Sequence, residues 1–528
     1  MIRRLLVVLA IAVGVGASAV AFASPASAHA TLESTSPAAD EVLQTLPTEV
    51  VLHFDAAVDA SIGGVDVYGP DGVRLPAAAL RRLDGGKAIH RPITVTARGT
   101  YTVSWRVVSE DGHTITGSFV FHYIEKRGSS TVIGESGSAA SILGWFSRCL
   151  IFIGAMTCIG AMLLGLVSSM SDHPRLGALA WWGSCAALVG SLGALWSRAA
   201  QASGKSLWSS FSVVGELVSS NRSGALDASR IAVAMIAVVA LLTIGRSRFV
   251  ALPAMAVVLD TFSLSGHAWT ASPVAVTVTV DTVHLLAAAA WAGGLIALAC
   301  VVRTLDDPKP VMRRFSAIAT VALLVVIATG SVSSLVHVDS WSSLLHTDYG
   351  NLLMIKVGVV AVMVALGVTH RRIVAKGFEI VGHRLATISL EALLGIVVIG
   401  ITAGLIFTAP AVDTAPRKYS VTQTTPSGLI RLDVSLARVG ANNLRLTFLG
   451  ADGRLRAVDN VQVDVGTDSI APRRLTTAID DASHWTVSGA SLAAPGKWMV
   501  TIVATHSEGF GDAANEVSET TRFEVMLK

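Results

Sequence analysis

The chain has 528 residues, of which 52% are hydrophobic and only 15% are charged, and its formal net charge is +3. Soluble domains contain about 25% charged residues, so this composition excludes an ordinary soluble protein, and the length allows several domains. The small net charge gives no reason to expect a nucleic-acid partner. The four cysteines (Cys149, Cys158, Cys185 and Cys300) lie in apolar stretches, which leaves no disulfide framework for exported segments.

Residues 1–28 have the pattern of a secretory signal peptide. Arg3 and Arg4 form the charged region, an apolar core follows, and Ala26-Ser27-Ala28 is a small-residue cleavage pattern. Cleavage after Ala28 would make His29 the first residue of the mature protein. Cleavage after Ala23 is an alternative. An uncleaved anchor helix is a third possibility, which the Ala-rich sequence after the apolar core disfavours.

Over residues 29–126 the hydrophobic pattern changes to the period of two that is typical of half-buried strands. Hydrophobic residues alternate with others over 101–107 and 119–123. Between two short strand-like runs, Gly69-Pro70-Asp71-Gly72 predicts a hairpin turn. We therefore expect a small antiparallel β-sandwich or barrel, followed by a Gly/Ser-rich linker over 127–139 that would reach about 20 Å as a flexible coil.

Residues 140–409 predict an α-helical transmembrane domain, because they contain eight apolar stretches near the roughly 20 residues that a span needs. The predicted spans are 141–170, 177–197, 224–245, 249–267, 275–302, 315–337, 351–369 and 386–409. If the mature N-terminus is outside, the inner connections carry eleven Lys and Arg residues. The outer connections carry only Arg198, Lys205 and Arg222. This asymmetry agrees with the positive-inside rule, and the even number of spans returns the C-terminus to the outside.

The last part of the chain predicts a second exported β-sandwich over 428–528, after a Pro/Thr/Ser-rich linker at 410–427. Strand-like alternation returns there, for example over 498–502. His484 and His506 lack chelating spacing, so we interpret them as surface histidines.

A metal site is suggested by His29 together with Asp111-Gly112-His113. An N-terminal His offers its α-amine and ring Nδ1 as a chelate, and a second His with a carboxylate completes the N/O set that Cu(II) prefers. After Met1 the next methionine is Met156, and this domain also lacks Cys, so soft ligands for Cu(I) are missing. The alternative is a frayed terminus beside a plain hairpin turn.

A second group of ionisable residues lies within the predicted spans. His267 ends the fourth span, Asp281 and His284 share one face of the fifth, and Asp260 lies seven residues before His267. Such groups are costly in a bilayer and usually mark a pathway, although a His satisfied by helix contacts is the alternative. Other intramembrane residues could relay Cu(I) or form buried ion pairs: Cys149 with Met156 and Cys158 with Met162 for the relay, and Arg148, Lys356 and Glu391 for the pairs.

The N-terminal domain resembles the CopC copper-binding family. The resemblance is carried by the segments 29–40, 51–54 and 105–119, which include Ser109-Glu-Asp111-Gly-His113. It implies that His29, Asp111 and His113 are Cu(II) ligands. The Met-rich Cu(I) site found in some members has no counterpart here.

The membrane part resembles the CopD family, whose members are eight-span proteins implicated in moving copper. The matching segments are 281–295, 314–316 and 349–356. The two modules also occur fused in one chain, as in YcnJ-like copper transport proteins, and the tail resembles the YtkA-type modules joined to CopD. This resemblance makes His267, Asp281 and His284 candidates for a membrane copper pathway.

These features predict a multi-pass protein of the cytoplasmic membrane, with both terminal domains outside, that captures Cu(II) and passes copper inward. We expect transport rather than enzymatic activity, with copper and lipid as partners. A reductase or chaperone is not identifiable from the sequence, and an ATP-binding motif is lacking. Alternatives are sequestration of copper without transport, and a haem or quinone electron carrier using His267 and His284. A copper oxygenase is disfavoured because Asp111 would fill a position that such chemistry keeps open.

Overall fold

The computed structural model describes most of the chain apart from its first 29 residues. The described residues are 30, 32–38, 41–76, 78–110, 112–125, 138–243, 248–270, 273–338, 340–375, 382–406, 408, 411, 417–436, 440–467, 472–475, 477–492, 496–508 and 515–527. The predicted signal peptide with Ala28, the predicted ligands His29 and Asp111, and the side chain of His267 therefore lie outside the described residues. So do residues 127–137 of the first predicted linker, and residues 410 and 412–416 of the second.

The N-terminal domain is a β-sandwich, as the sequence predicted. Its strands are β1 Leu32–Ser36, β2 Val42–Leu43, β3 Glu49–Phe54, β4 Val58–Tyr68, β5 Arg81–Leu83, β6 Ala88–Pro92, β7 Gly99–Ser109 and β8 Thr114–Tyr123. They form two four-stranded sheets, ordered β1-β3-β6-β5 and β2-β8-β7-β4.

The predicted alternation in β7 buries Tyr101, Val103, Trp105 and Val107 between these sheets. Trp105 meets Phe54 of the facing sheet edge-on at 5.4 Å, a favourable aromatic geometry. The predicted hairpin is also confirmed, since Gly69 N–H donates to Val73 O at 2.8 Å. This hydrophobic core fixes β7 and β8, and hence the loop between them.

The middle of the chain is helical. Its α-helices are α1 Ser138–Val167, α2 Pro174–Ser203, α3 Val214–Ser220, α4 Arg222–Thr243, α5 Arg248–Ser265, α6 His267–Thr270, α7 Val274–Ala288, α8 Gly294–Val301, α9 Lys309–His337, α10 Trp341–His346, α11 Asp348–Ala375 and α12 Gly382–Leu405. In the described part, seven helical segments are long and apolar enough to cross a membrane. The predicted fourth span is α5, which is apolar but has only 18 residues.

The fifth predicted span runs through α7 and α8, which are joined by a π-helical turn at Ala289–Gly293. This turn packs backbone to backbone against α1, because a Cβ on Gly160 would overlap Gly293 and Gly294. Small residues allow such close helix contacts in membranes, and π-turns occur often at functional sites. The contact anchors the span that carries Asp281 and His284 against α1.

The C-terminal domain is also built from sheets, as predicted. Its strands are β9 Arg417–Thr425, β10 Gly428–Leu436, β11 Gly440–Leu449, β12 Asn460–Gly466, β13 Arg473–Leu475, β14 Ala478–Asp481, β15 His484–Leu492, β16 Gly496–Glu508 and β17 Asn515–Leu527. They form two sheets, ordered β14-β15-β11-β10-β9 and β13-β12-β16-β17. Trp498, Val500 and Ile502 of β16 are buried between the sheets.

The interpretation of His506 as a surface histidine was wrong. Its side chain is buried, with ring nitrogens 3.3 and 3.4 Å from Nη1 of Arg456. Arg456 also forms an ion pair with the buried Glu519. His484 is partly exposed and pairs with Asp481 at 2.8 Å. The spacing of His506 in the sequence did not reveal the partners that make its burial possible.

Candidate functional site

The loop between β7 and β8 carries the predicted motif at 111–113. Ser109 N–H donates to His113 O and Gly112 N–H donates to Ser109 O, both at 2.8 Å, so the turn is closed by its own backbone. Gly112 has a φ of +83°, a conformation that favours glycine. The buried Ala30 N–H donates to Ser109 Oγ at 3.1 Å, so the start of the described chain lies beside this loop.

His113 lies between the N-terminal domain and the helices. Its Nε2 is 3.0 Å from the carbonyl oxygen of Ile406, which directly follows α12. Because a carbonyl oxygen only accepts, the hydrogen-bond pattern assigns the proton to Nε2 and the lone pair to Nδ1. A metal-binding imidazole commonly donates its other ring N–H to a carbonyl in this way.

Two arginine contacts also join this domain to the helices. Arg198 Nη1 donates to Gly112 O at 2.6 Å, and Arg106 Nη1 donates to Gln201 O at 2.8 Å. Arg198 lies within α2. Asp227 on the neighbouring helix α4 neutralises its charge, an interaction that the local sequence does not display.

A buried ion-pair network extends from Arg198. Its Nε donates to Asp227 Oδ2 at 2.6 Å, and Arg230 Nη1 donates to Asp227 Oδ1 at 2.8 Å. Arg230 Nε then donates to Thr261 Oγ1 of α5 at 2.7 Å. The sequence reasoning missed Asp227 and Arg230. Opposite charges three residues apart in an apolar helix were the signal that could have found them.

One cavity of about 880 Å³ connects the loop with the interior of the helical region. His113 and Gly112 line it near the N-terminal domain, Arg198 lines it further along, and Asp281 and His284 line it within the helices. Apolar residues of α7, α9 and α11 form much of the remaining wall. The volume is within the 300–1,000 Å³ typical of small-ligand sites.

Asp281 and His284 are polar side chains in this cavity wall, and each is held by a hydrogen bond to a neighbouring helix. Ser263 Oγ donates to Asp281 Oδ2 at 2.7 Å, and Lys356 on the same wall attracts the Asp281 carboxylate. His284 Nδ1 lies 2.9 Å from Thr329 Oγ1. Since that hydroxyl donates to Val325 O at 2.6 Å, it accepts from Nδ1–H, and the lone pair of His284 is on Nε2.

Other predicted candidates lie elsewhere. Within the described residues, no three His, Cys, Asp or Glu side chains form a metal-binding group, but His29 and Asp111 are not among them. The proposed sulfur relay residues do not line the cavity, and Cys158 Sγ lies 3.9 Å from Met162 Sδ within the helix packing. The side chain of His267 lies outside the described residues.

Two family models match the chain. Residues 32–123 match the model described as CopC domain, and residues 309–405 match Copper resistance protein D. The first segment contains Ser109 and His113, and the second contains Thr329, Lys356 and the end of α12 beside His113. The two matches therefore meet at the cavity described above.

Known proteins with related sequences agree with these matches. The chain is 25% identical over 484 residues to Copper transport protein CutJ of Bacillus subtilis (strain 168), covering 82% of this chain and 84% of that one. It is 32% identical over 96 residues to Protein YobA of Escherichia coli (strain K12), covering 18% and 77%. It is also 32% identical over 103 residues to Copper resistance protein C of Pseudomonas syringae pv. tomato, covering 18% and 81%. This chain therefore belongs to the family of proteins that combine a CopC domain and a CopD domain.

Proposed function

We propose that this multi-pass membrane protein binds copper outside the cell and passes it through the helical region for uptake. One observation carries the proposal: His113, at the N-terminal domain, lines the same cavity as Asp281 and His284 within the helices. The similarity to Copper transport protein CutJ over most of the chain supports transport as the general class.

The outer site in this proposal holds Cu(II) through the α-amine and ring of His29, the carboxylate of Asp111 and Nδ1 of His113. Support comes from Ala30, whose amide is tied to Ser109 in the strand that leads to the motif. Consecutive Cα atoms are only about 3.8 Å apart, so His29 is connected to this end of the domain. The nitrogen and oxygen donors match the preference of Cu(II).

The inner site in this proposal uses Asp281 and His284, with His267 as a further candidate ligand. His284 has its lone pair on Nε2 because Nδ1 is held by Thr329. Imidazole nitrogen binds copper readily, and the carboxylate supplies the negative charge that a cation needs in a bilayer. Copper would travel between the two sites through the cavity, as Cu(I) if it is reduced on the way.

The outer site can be tested on the full-length protein in detergent. One form begins at His29 and a matched form carries one additional N-terminal Gly, which removes the six-membered chelate of the His29 α-amine and ring Nδ1. We expect tight one-to-one Cu(II) binding with a nitrogen-rich tetragonal EPR spectrum only for the first form. Equal and weak binding by both forms would rule out the His29 chelate.

Transport can be tested by copper uptake into cells that express the protein. We expect Asp281→Asn to abolish uptake while leaving the Cu(II) EPR spectrum unchanged, with the exposed Asp306→Asn as the control. Uptake by Asp281→Asn equal to wild type would reject the inner site. Cu(II) binding without any uptake by wild type would instead favour sequestration outside the membrane.

A further inference from the structure

We propose that Arg198 is a positioning residue that clamps the 111–113 loop onto the helices, so that copper leaves the outer site into the cavity and not into solvent. This inference rests on the proposed function. Arg198 bridges the two domains with a single guanidinium, which donates to Gly112 O and to Asp227 Oδ2, both at 2.6 Å. Gly112 is the middle residue of the predicted motif.

The bridging guanidinium is held rigidly on its membrane side. Asp227 is completely buried and also accepts from the almost completely buried Arg230. Arg230 is in turn fixed by Thr261 and lies 4.0 Å above the ring of Phe262. Charge-assisted hydrogen bonds are stronger than neutral ones, and low dielectric strengthens them further. Arg198 therefore presents an Nη1–H to Gly112 O at a fixed place.

The loop packs closely against α2 and α4 at Gly112. A Cβ on Gly112 would overlap Ser223 Oγ and would lie 2.9 Å from Arg198 Nη1. Ser223 is itself buried at the start of α4. The backbone of the loop thus approaches the helices as closely as a glycine permits, and a larger residue at position 223 would push the loop away.

The clamp determines which way the loop faces, because it ties the loop backbone directly to α2. Seated by Arg198, the loop places His113 against Ile406 O at the cavity wall. The same network reaches Thr261 of α5, two residues before Ser263, which holds Asp281. The hydrogen bonds that hold the loop and the hydrogen bond to the inner carboxylate therefore end on the same helix, α5.

Two variants disrupt the Arg198 clamp in different ways, so that loss of the clamp can be distinguished from a general loss of stability. Ser223→Leu inserts a wedge beneath Gly112, with Ser223→Ala as the matched control that adds no volume. Arg198→Lys keeps a positive charge beside Asp227, but a single ammonium lacks the planar fork of donors that serves both partners. Neither variant alters a predicted copper ligand, so both should retain the Cu(II) EPR spectrum of wild type.

The first measurement is hydrogen exchange of the full-length protein without copper. We expect the amides of residues 109–115 to exchange about tenfold faster in Ser223→Leu and Arg198→Lys than in Ser223→Ala, which corresponds to the loss of one charge-assisted hydrogen bond. Equal protection in all variants would overturn the clamp, whatever the protein does with copper.

The second measurement starts from protein loaded with one Cu(II), to which a reductant and an external copper chelator are added together. Wild type and Ser223→Ala should retain copper in the cavity, whereas Ser223→Leu and Arg198→Lys should lose about ten times more to the chelator. Equal retention by all four proteins would overturn the positioning role alone. Loss of copper from all four, including wild type, would overturn both that role and the transfer on which it rests.

Discussion

Nε2 of His113 lies 3.0 Å from the carbonyl oxygen of Ile406, 293 residues further along the chain. This hydrogen bond joins the β7–β8 loop of the N-terminal domain to the residue that follows α12. In the neutral ring it leaves the lone pair of His113 on Nδ1. The contact therefore fixes the orientation of a ring that lines the cavity.

Replacing His113 should weaken Cu(II) binding strongly. Loss of a partner that only orients a metal ligand costs about 10–100-fold in affinity, so we expect His113→Ala to cost at least about 100-fold. The measurement is competitive Cu(II) titration of the full-length protein with its native N-terminus. His53→Ala, on β3, is the control, and an affinity for His113→Ala within twofold of that control would contradict the assignment.

The ring of His284 should be sensitive to added volume on the neighbouring helix. A Cβ on Gly330 would lie 3.2 Å from His284 Cε1, whereas a Cβ on Gly358 would meet nothing within 4 Å. Gly330→Ala should lower copper uptake several-fold, because the ring must shift away from Thr329. Gly358→Ala should leave uptake unchanged and stabilise its helix by up to about 1 kcal/mol. Identical uptake by the two variants would show that the position of His284 is not critical.

Removal of the Lys356 charge should make the inner site bind cations more tightly. Lys356 attracts the Asp281 carboxylate within the cavity, so it competes with any cation that approaches Asp281. We expect Lys356→Met to lower both KM and kcat for copper uptake, because the cargo is held longer. A raised KM would indicate that Lys356 has a different role, and Met354→Leu serves as a neighbouring control on α11.

The Arg456–Glu519 pair should make the C-terminal domain sensitive to acid. Burial raises the pKa of Glu519, but the hydrogen bonds from Arg456, Thr425 and Ser427 together with the charge of Arg456 outweigh it, and the net shift is downward. A lowered folded-state pKa contributes stability above the unfolded value of about 4.3, and this stability is lost as the pH falls through the folded value. The protection factors of β17 amides, which are corrected for the intrinsic pH dependence of amide exchange, should therefore fall below about pH 4.

The same pair can be tested by substitution at neutral pH. Breaking a buried pair by removing one partner costs about 3–5 kcal/mol. Because Arg456 retains some solvent exposure, we expect Glu519→Gln to cost about 3 kcal/mol in the free energy of unfolding. The exposed Glu516→Gln is the control. Equal unfolding of the two variants in denaturant, followed by Trp485 and Trp498 fluorescence, would exclude a stabilising role for the pair.

The architecture could be predicted from the sequence because its signals are local. Burial of Tyr101, Val103 and Trp105 follows from period-two alternation, and the turn at Gly69 to Gly72 follows from residue types that favour turns. Seven of the eight predicted spans correspond to helical segments long enough to cross a bilayer, while α5 is shorter. The role of His113 as a metal ligand stays a prediction, which rests on ligand types that stand close together in the chain.

Only the tertiary structure decided how these parts meet. The Arg198 contacts join positions 112, 198 and 227, and the cavity brings His113 near the wall that contains Asp281 and His284. A buried charge such as Asp227 is tolerated only when it is neutralised, and its partner Arg198 lies on another helix at a spacing of 29 residues that no local pattern displays. Local periodicity therefore determined the elements and the candidate ligands, whereas long-range charge pairing and close backbone contact decided their common site.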